Sequence, residues 1–282
     1  MYRLFVNNLT NLDFAYFDHA RGLVGETFLA SIELSGDLNP DKMLLDFAEV
    51  KRYLKNALEE LFDHKFVIPT EHPDIQITQE ATGLTVSMRD SKGRRYIHQS
   101  PPEGVYLAPI HEVTLEQLAS LLKDSIKLPV PGLELTLHLE PENITGAYYH
   151  YCHGLQQHKG ACQRIAHGHR SQIGIFINHQ RQPSQEAEWA KKWEDIYIGC
   201  DSDLVEVKTE EEVSYHHFRY QASEGEYELQ LPSDNVTMLP NSSTIECIAE
   251  YLAHTIKASH PNDHVSVKAY EGIGKGTIFE IK

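Results

Sequence analysis

The sequence predicts an α+β protein built from two similar units, each an antiparallel sheet with helices packed on one face. Two observations predict it: sequence features recur at one spacing, and strand-like and helix-like patterns alternate in each half. Glu116 and Glu246 open similar helix-like stretches 130 residues apart, and Glu140 and Glu271 end similar strand-like runs 131 residues apart. We therefore expect domains at 1–142 and 143–282, each of ordinary domain length.

In the first unit, residues 27–36 alternate between apolar and polar side chains, which predicts a half-buried strand. Asn39, Pro40 and Asp41 have the residue types of a helix start, and apolar residues follow at spacings of three and four up to Leu61. Thr114 is expected to cap a second helix that runs to about residue 126.

The second unit shows the same kind of patterns. We expect strands at about 145–155 and 170–178, a helix at about 183–194 and another from residue 243. Segments 74–100 and 203–231 have the alternation of hairpin insertions, and the sequence assigns them no function.

The charge balance excludes two classes of partner. Lys plus Arg number 25 and Asp plus Glu 41, a formal net charge of −16. Nucleic acids and anionic membranes require a basic surface, so neither is expected as a partner. There is no apolar run of ~20 residues and no signal-peptide core. Four cysteines are too few for a disulfide scaffold, which predicts a reduced, cytoplasmic protein.

The acid excess is interrupted in one segment. Residues 143–185 contain no Asp or Glu, although roughly six would be expected at the average density. The segment carries six histidines and four cations, of which Lys159, Arg164 and Arg170 are candidate ligands for an anion and Arg181 is the fourth. Either this is a solvated strand surface, or the cations bind an anion such as a triphosphate.

A set of histidines predicts a metal site. His167 and His169 are two residues apart, so on a strand their rings share one face. His153 ends the preceding strand-like segment and can lie alongside them. Three neutral imidazoles with an open fourth position are typical of a catalytic zinc ion. The alternative is a pair of surface histidines.

Cys162 comes shortly before these histidines. It has three possible roles: a small buried residue, a thiolate base favoured by the metal and nearby cations, or a fourth ligand that closes the site. Asp63 and His64, which end the long first helix, are candidates for a proton relay, although such a pair is also common at helix ends.

The two units are complementary. Gly25 aligns with Gly168, so Val24 and Glu26 stand where His167 and His169 stand in the second unit. A further alignment, of His19 with His153, is possible. The first unit thus lacks a complete ligand set, and the second has Glu194 and Asp195 where the first has Asp63 and His64.

Taken together, these motifs resemble the 6-pyruvoyl-tetrahydropterin synthase and 6-carboxy-tetrahydropterin synthase family. The resemblance rests on 151–153, Cys162, 167–169, 244–246 and 270–272 in the second unit, and on 45–51 with 63–64 in the first. It covers nearly the whole chain as two tandem tunnelling-fold (T-fold) units.

The resemblance implies a zinc ion on His153, His167 and His169, with Cys162 as the base that moves a side-chain proton. It implies that Asp63 and His64 complete a catalytic triad, that Glu271 anchors the pterin ring, and that Glu246 is a second candidate for the pterin pocket. The implied substrate is 7,8-dihydroneopterin triphosphate, which loses triphosphate. The synthase for queuosine-type deazapurines also releases acetaldehyde.

The chain departs from this family pattern in two ways. No single unit carries every motif, so a whole site must be composite, with one zinc ion per chain. The spacing from Cys162 to His167 differs by one residue from that expected of the carboxy-pterin enzymes, which leaves the substrate open. Alternatives are a catalytically degenerate pterin- or purine-binding protein, or a zinc hydrolase acting on a related ring. The resemblance also suggests a homo-oligomer, for example a trimer of tandem chains.

Overall fold

The computed structural model describes residues 1–80 and 83–282. The strands of the first half are β1 Tyr2–Asp18, β2 Gly22–Gly36, β3 Phe66–Pro69, β4 Ile75–Glu80, β5 Gly83–Arg89, β6 Arg95–Ser100, β7 Val105–Ala108 and β8 Glu134–Pro141. Its helices are α1 Phe47–Phe62 and α2 Leu115–Ser125.

The second half begins with β9 Tyr148–His153. Its other strands are β10 His167–Ile177, β11 Gln180–Arg181, β12 Ile196–Cys200, β13 Leu204–Glu210, β14 Val213–Gln221, β15 Glu226–Pro232, β16 Val236–Leu239, β17 Val265–Tyr270 and β18 Gly276–Ile281. Its helices are α3 Pro183–Lys192 and α4 Ile245–Ser259. In the described part of the chain, no helix is long and apolar enough to cross a membrane.

Two sheets have corresponding strands in the same order, and the second has one additional strand, β18, at its edge. The first is β7-β3-β1-β2-β8, and the second is β16-β12-β9-β10-β17-β18, with β11 also paired to β10. Both are mixed, because β3 and β12 lie parallel to β1 and β9. The expectation of purely antiparallel sheets was therefore wrong. In the first half, α1 carries the chain back across the sheet, and such a crossover places the next strand parallel.

The helix ends follow local capping chemistry. Thr114 caps α2, as predicted, and Thr244 caps α4; each side-chain oxygen accepts a backbone N–H of the first turn. The predicted helix start at Asn39–Asp41 was wrong. Asp46 caps α1 instead, accepting from the N–H groups of residues 48 and 49 at 2.8 and 3.1 Å.

The two predicted hairpin insertions are each a three-stranded meander, and they join in one six-stranded sheet of order β13-β14-β15-β6-β5-β4. The joint is the antiparallel pairing of β6 with β15, in which His98 lies opposite Leu229. One apolar core draws buried side chains from both halves, including Phe17, Tyr96 and Phe218. Two further apolar cores are present, one under the helices of the first half and one under those of the second.

The strands β1 and β2 also contact β9 and β10 directly. The closest approach is at Gly25 and Gly168. A Cβ atom on Gly25 would overlap the carbonyl oxygen of Tyr151, and one on Gly168 would lie 2.5 Å from the Gly25 Cα. Both positions therefore exclude a side chain, and the close approach brings residues of the first half next to β10.

Candidate functional site

The three predicted histidines converge at the end of β9 and the start of β10. His153 lies opposite His167 in the antiparallel pair, and His169 follows two residues later on the same face. Their ligand atoms all lie within 4.8 Å of one another, and the Nε2 atoms of His153 and His169 are 3.3 Å apart. Ligand atoms in a tetrahedral zinc site with bonds of ~2.1 Å are separated by ~3.4 Å, so this spacing fits such an ion.

Each Nδ1 atom faces an oxygen atom. His153 Nδ1 lies 2.8 Å from the carbonyl oxygen of Ser243, His167 Nδ1 2.8 Å from that of Arg164, and His169 Nδ1 3.1 Å from a carboxylate oxygen of Asp13. Acceptors at Nδ1 leave Nε2 free to bind a metal, which is the usual outer-shell arrangement of metal-binding histidines.

The donor set suits a divalent ion of the zinc type. All three side chains are buried, and His167 Nε2 is a buried nitrogen without a hydrogen-bond partner. Burial lowers the pKa of His153 to about 3 and holds the pKa of His167 well below its usual value. Both rings are therefore neutral near pH 7, as metal ligands must be.

Asp63 and His64 come from the other half of the chain and lie beside this site. Asp63 ends α1, and His64 follows with a left-handed backbone conformation of φ 56°. The backbone of Asp13 holds the pair, because its N–H donates to Asp63 Oδ1 at 2.8 Å and its carbonyl accepts the His64 N–H at 2.6 Å. His64 Nδ1 is 2.6 Å from Asp63 Oδ2, and its ring centroid is 4.9 Å from that of His167.

Cys162 joins this pair. It lies in the short 3₁₀ turn at Ala161–Gln163, and its sulfur forms a group within 4.8 Å with His64 and His167. Burial lowers the pKa of His64, but the hydrogen bonds and charges of Asp63 and Cys162 outweigh burial and raise it to about 10. Asp63, His64 and Cys162 therefore form a continuous line of proton-transfer groups next to His167.

Asp13 was not predicted from the sequence. Its side chain accepts from Thr27 Oγ1 at 2.6 Å as well as contacting His169. Burial raises the pKa of Asp13, yet the charges of His169 and His64 and the hydrogen bonds hold it well below the usual range. One residue thus supports both the histidine set and the relay. The available signal was an acid inside an otherwise apolar stretch of strand.

Glu271 lies just after β17, at the edge of the site. Its backbone N–H donates to the Lys275 carbonyl at 3.1 Å, and the Lys275 Nζ is 3.6 Å from its carboxylate and 3.8 Å from Asp13. Lys275 is a second residue that sequence reasoning missed. Glu246, by contrast, is exposed in the first turn of α4, and no hydrogen bond or ion pair joins its side chain to another described residue.

The three predicted cations do not form one cluster. Arg164 pairs with Glu224 at 3.0 Å and donates to the Asp63 carbonyl at 3.2 Å, so it lies beside the relay. Arg170 is buried and donates to the backbone carbonyl of residue 142 at 2.7 Å. Lys159 is exposed on the loop after β9. The acid-free segment therefore presents its cations at separate places.

The first half contains a degenerate counterpart of the histidine set. In the β1–β2 pair Tyr16 lies opposite Val24, as His153 lies opposite His167. The aligned residues are thus Tyr16, Val24 and Glu26, and the alignment of His19 with His153 was wrong by three residues.

Asp195 repeats the place and the left-handed backbone of His64, with φ 55°. It pairs with Arg21, whose Nε donates to a carboxylate oxygen at 2.9 Å. The Arg21–Asp195 ion pair therefore lies at the position that corresponds to the Asp63–His64 pair.

Comparisons with known proteins agree with the sequence resemblance. The family model described as 6-pyruvoyl tetrahydropterin synthase matches residues 11–139, less than half of the chain, and confirms the resemblance for that segment. The three histidines lie outside it. A search of curated proteins finds no match.

Solved structures of low similarity are found as well. The 6-pyruvoyl tetrahydropterin synthase of Plasmodium vivax is 18% identical and has a TM-score of 0.41, covering 51% of this chain and 93% of its own. The Plasmodium falciparum enzyme is 17% identical with a TM-score of 0.36, covering 44% and 76%.

Proposed function

We propose that this chain is a zinc-dependent pterin synthase or lyase that acts on 7,8-dihydroneopterin triphosphate, of the 6-carboxy- or 6-pyruvoyl-tetrahydropterin synthase type. One observation carries the proposal. Within a single chain, Asp63 and His64 of the first half meet Cys162 and His167 of the second half, beside a converged set of three histidines. The family match to residues 11–139 supports the reaction class.

We further propose that the chain is a tandem of two T-fold units, 1–142 and 143–282, with one composite site. The common strand order of the two mixed sheets supports the duplication. The proposal of a single site rests on a difference between the two halves. The second half has Asp195, paired with Arg21, at the position that His64 of the relay occupies in the first half. Free cysteines fit a reducing, cytoplasmic location. A homo-oligomer, such as a trimer of tandem chains, belongs to the same proposal.

His153, His167 and His169 would hold the zinc ion, which supplies Lewis-acid polarisation of the substrate's side-chain oxygens when bound. Cys162 is placed to accept a proton from a side-chain carbon. His64 lies next to the Cys162 sulfur, so the two groups can exchange a proton. Asp63 fixes the His64 ring through Nδ1, so the opposite nitrogen faces the reacting groups.

The remaining roles concern substrate binding. The Glu271 carboxylate suits the parallel N–H donors of a pterin edge. Lys275 and Arg164 are the cations near the site and are candidates for the triphosphate. Lys159 and Arg170 remain weaker candidates, because one is remote on an exposed loop and the other is committed to a backbone carbonyl. Glu246 keeps its proposed place at the pterin pocket, because it lies in the first turn of α4 and Ser243, shortly before that helix, contacts His153 Nδ1 at 2.8 Å.

The test is metal analysis combined with product analysis on dihydroneopterin triphosphate. The proposal expects released triphosphate, and acetaldehyde identifies the carboxy-pterin reaction. Cys162→Ala and His64→Ala should abolish turnover while retaining zinc, and Cys247→Ala serves as the matched cysteine control. Full turnover by Cys162→Ala contradicts its role as base. Zinc and pterin binding without consumption indicates a degenerate binding protein, and a water-derived product without triphosphate release indicates a hydrolase.

A further inference from the structure

A second group of histidines lies in the first half, away from the site described above. His19 is in the turn between β1 and β2, His72 and Asp74 are in the loop between β3 and β4, and His111 lies between β7 and α2. The ligand atoms of His19, His72 and Asp74 lie within 4.8 Å of one another. The ring centroids of His72 and His111 are 4.7 Å apart.

The spacing of these atoms fits an ion between them. His19 Nε2 is 3.2 Å from Asp74 Oδ2, close to the ~3.4 Å that separates two ligand atoms in a tetrahedral site. The ring centroids of His19 and His72 are 4.6 Å apart. A cavity of about 320 Å³ adjoins them and is lined by His19, His72 and His111.

The chemistry of the group selects a class of ion. Imidazole nitrogens with one carboxylate suit Zn²⁺, Ni²⁺ and Cu²⁺ rather than Mg²⁺ or Ca²⁺.

One contact opposes binding. The Asp74 N–H donates to His72 Nδ1 at 3.2 Å, which places the proton of a neutral ring on Nε2. An ion on this ring must displace that hydrogen bond or change the tautomer. Together with the exposure of His19 and Asp74, this makes the site weaker than the buried three-histidine set.

We propose that His19, His72 and Asp74, with His111 as a fourth donor, form a second site for a divalent transition metal ion. The site goes beyond the proposed function. Its ligands come from three separate connections, so a bound ion would cross-link the β1–β2 turn to the loop that leads into the six-stranded sheet and to the start of α2. The expected role is therefore structural.

The experiment is zinc titration of the full-length protein and its variants, followed by equilibrium dialysis and metal analysis. The wild type should bind two equivalents, the second more weakly. His72→Ala should lose the weak equivalent and keep the tight one, and His167→Ala should do the reverse. His254→Ala, a change at an exposed helical histidine, should keep both.

If His72→Ala does not fold, His19→Ala on the exposed side of the group provides the same test. Zinc should raise the melting temperature of His167→Ala, and His19→Ala in that background should remove the effect. A wild type with one equivalent that is lost only in His167→Ala overturns the second site. Loss of only the weak equivalent in His72→Ala supports it even if the chain shows no pterin synthase activity.

Discussion

The substitution Asp13→Asn separates two roles that meet in one residue. The Asp13 side chain contacts His169 Nδ1 at 3.1 Å, whereas its backbone N–H and carbonyl hold Asp63 and His64. Asparagine keeps the size and one acceptor oxygen but removes the negative charge. We therefore expect weaker zinc binding with an unchanged relay geometry.

The magnitude follows from the position of the carboxylate. Loss of an outer-shell partner of a metal-bound histidine costs ~10–100-fold in metal affinity, or ~1.4–2.7 kcal/mol. The upper part of this range is expected, because the carboxylate is buried and its pKa is held well below the usual range, so it is fully charged at neutral pH.

Competition with a zinc-chelating indicator measures this change directly. Asp90→Asn is the matched control, since Asp90 is a buried acid of the same half that pairs with Arg94 and has no contact with the three histidines. A zinc affinity within twofold of the wild type in Asp13→Asn would refute the role of Asp13. So would an equal loss in both variants.

Three further predictions concern stability and substrate binding. Burial lowers the pKa of His98 to about 3, below the ~6.5 of an unfolded chain, so protonation favours unfolding as the pH falls below 6.5. In urea unfolding of the metal-free protein, His98→Leu should recover about 2 kcal/mol of the unfolding free energy that the wild type loses between pH 7.5 and pH 5. An unchanged loss of unfolding free energy in His98→Leu contradicts this. Gly25→Ala should cost about 3 kcal/mol in the same assay because its Cβ overlaps Tyr151, with Gly160→Ala as a nearly neutral control. Lys275→Ala should raise KM ~10-fold with little change in kcat, and Lys275→Arg should restore it; an unchanged KM excludes Lys275 from substrate binding.

The sequence was informative where the chemistry is local. The i, i+2 spacing of His167 and His169 fixes both rings on one face of a strand, and threonine caps depend only on the following turn. The role of Asp13 and the pairing of Tyr16 with Val24 depend on tertiary register between distant strands. No local pattern specifies such a register.

The folded structure decided two further points that the sequence left open: where α1 begins and what Arg170 binds. The apolar repeat of α1 admits several starts, and Asp46 provides the cap that the earlier residues do not. Arg170 has the sequence signature of an anion ligand, but the backbone carbonyl of residue 142 lies within its reach. In both cases the sequence identified suitable residue types and the folded surroundings selected among them.

The pairing of β6 with β15 has a consequence for how this chain is made. At ~5–20 residues per second, a ribosome needs roughly 6–26 s to synthesise the ~130 residues that separate these strands. During that interval the hydrogen-bonding edge of β6 has no partner within the finished part of the chain, and such an edge can recruit a neighbouring polypeptide. Newly made chains therefore depend on delayed, long-range closure, which makes folding yield sensitive to expression rate and temperature.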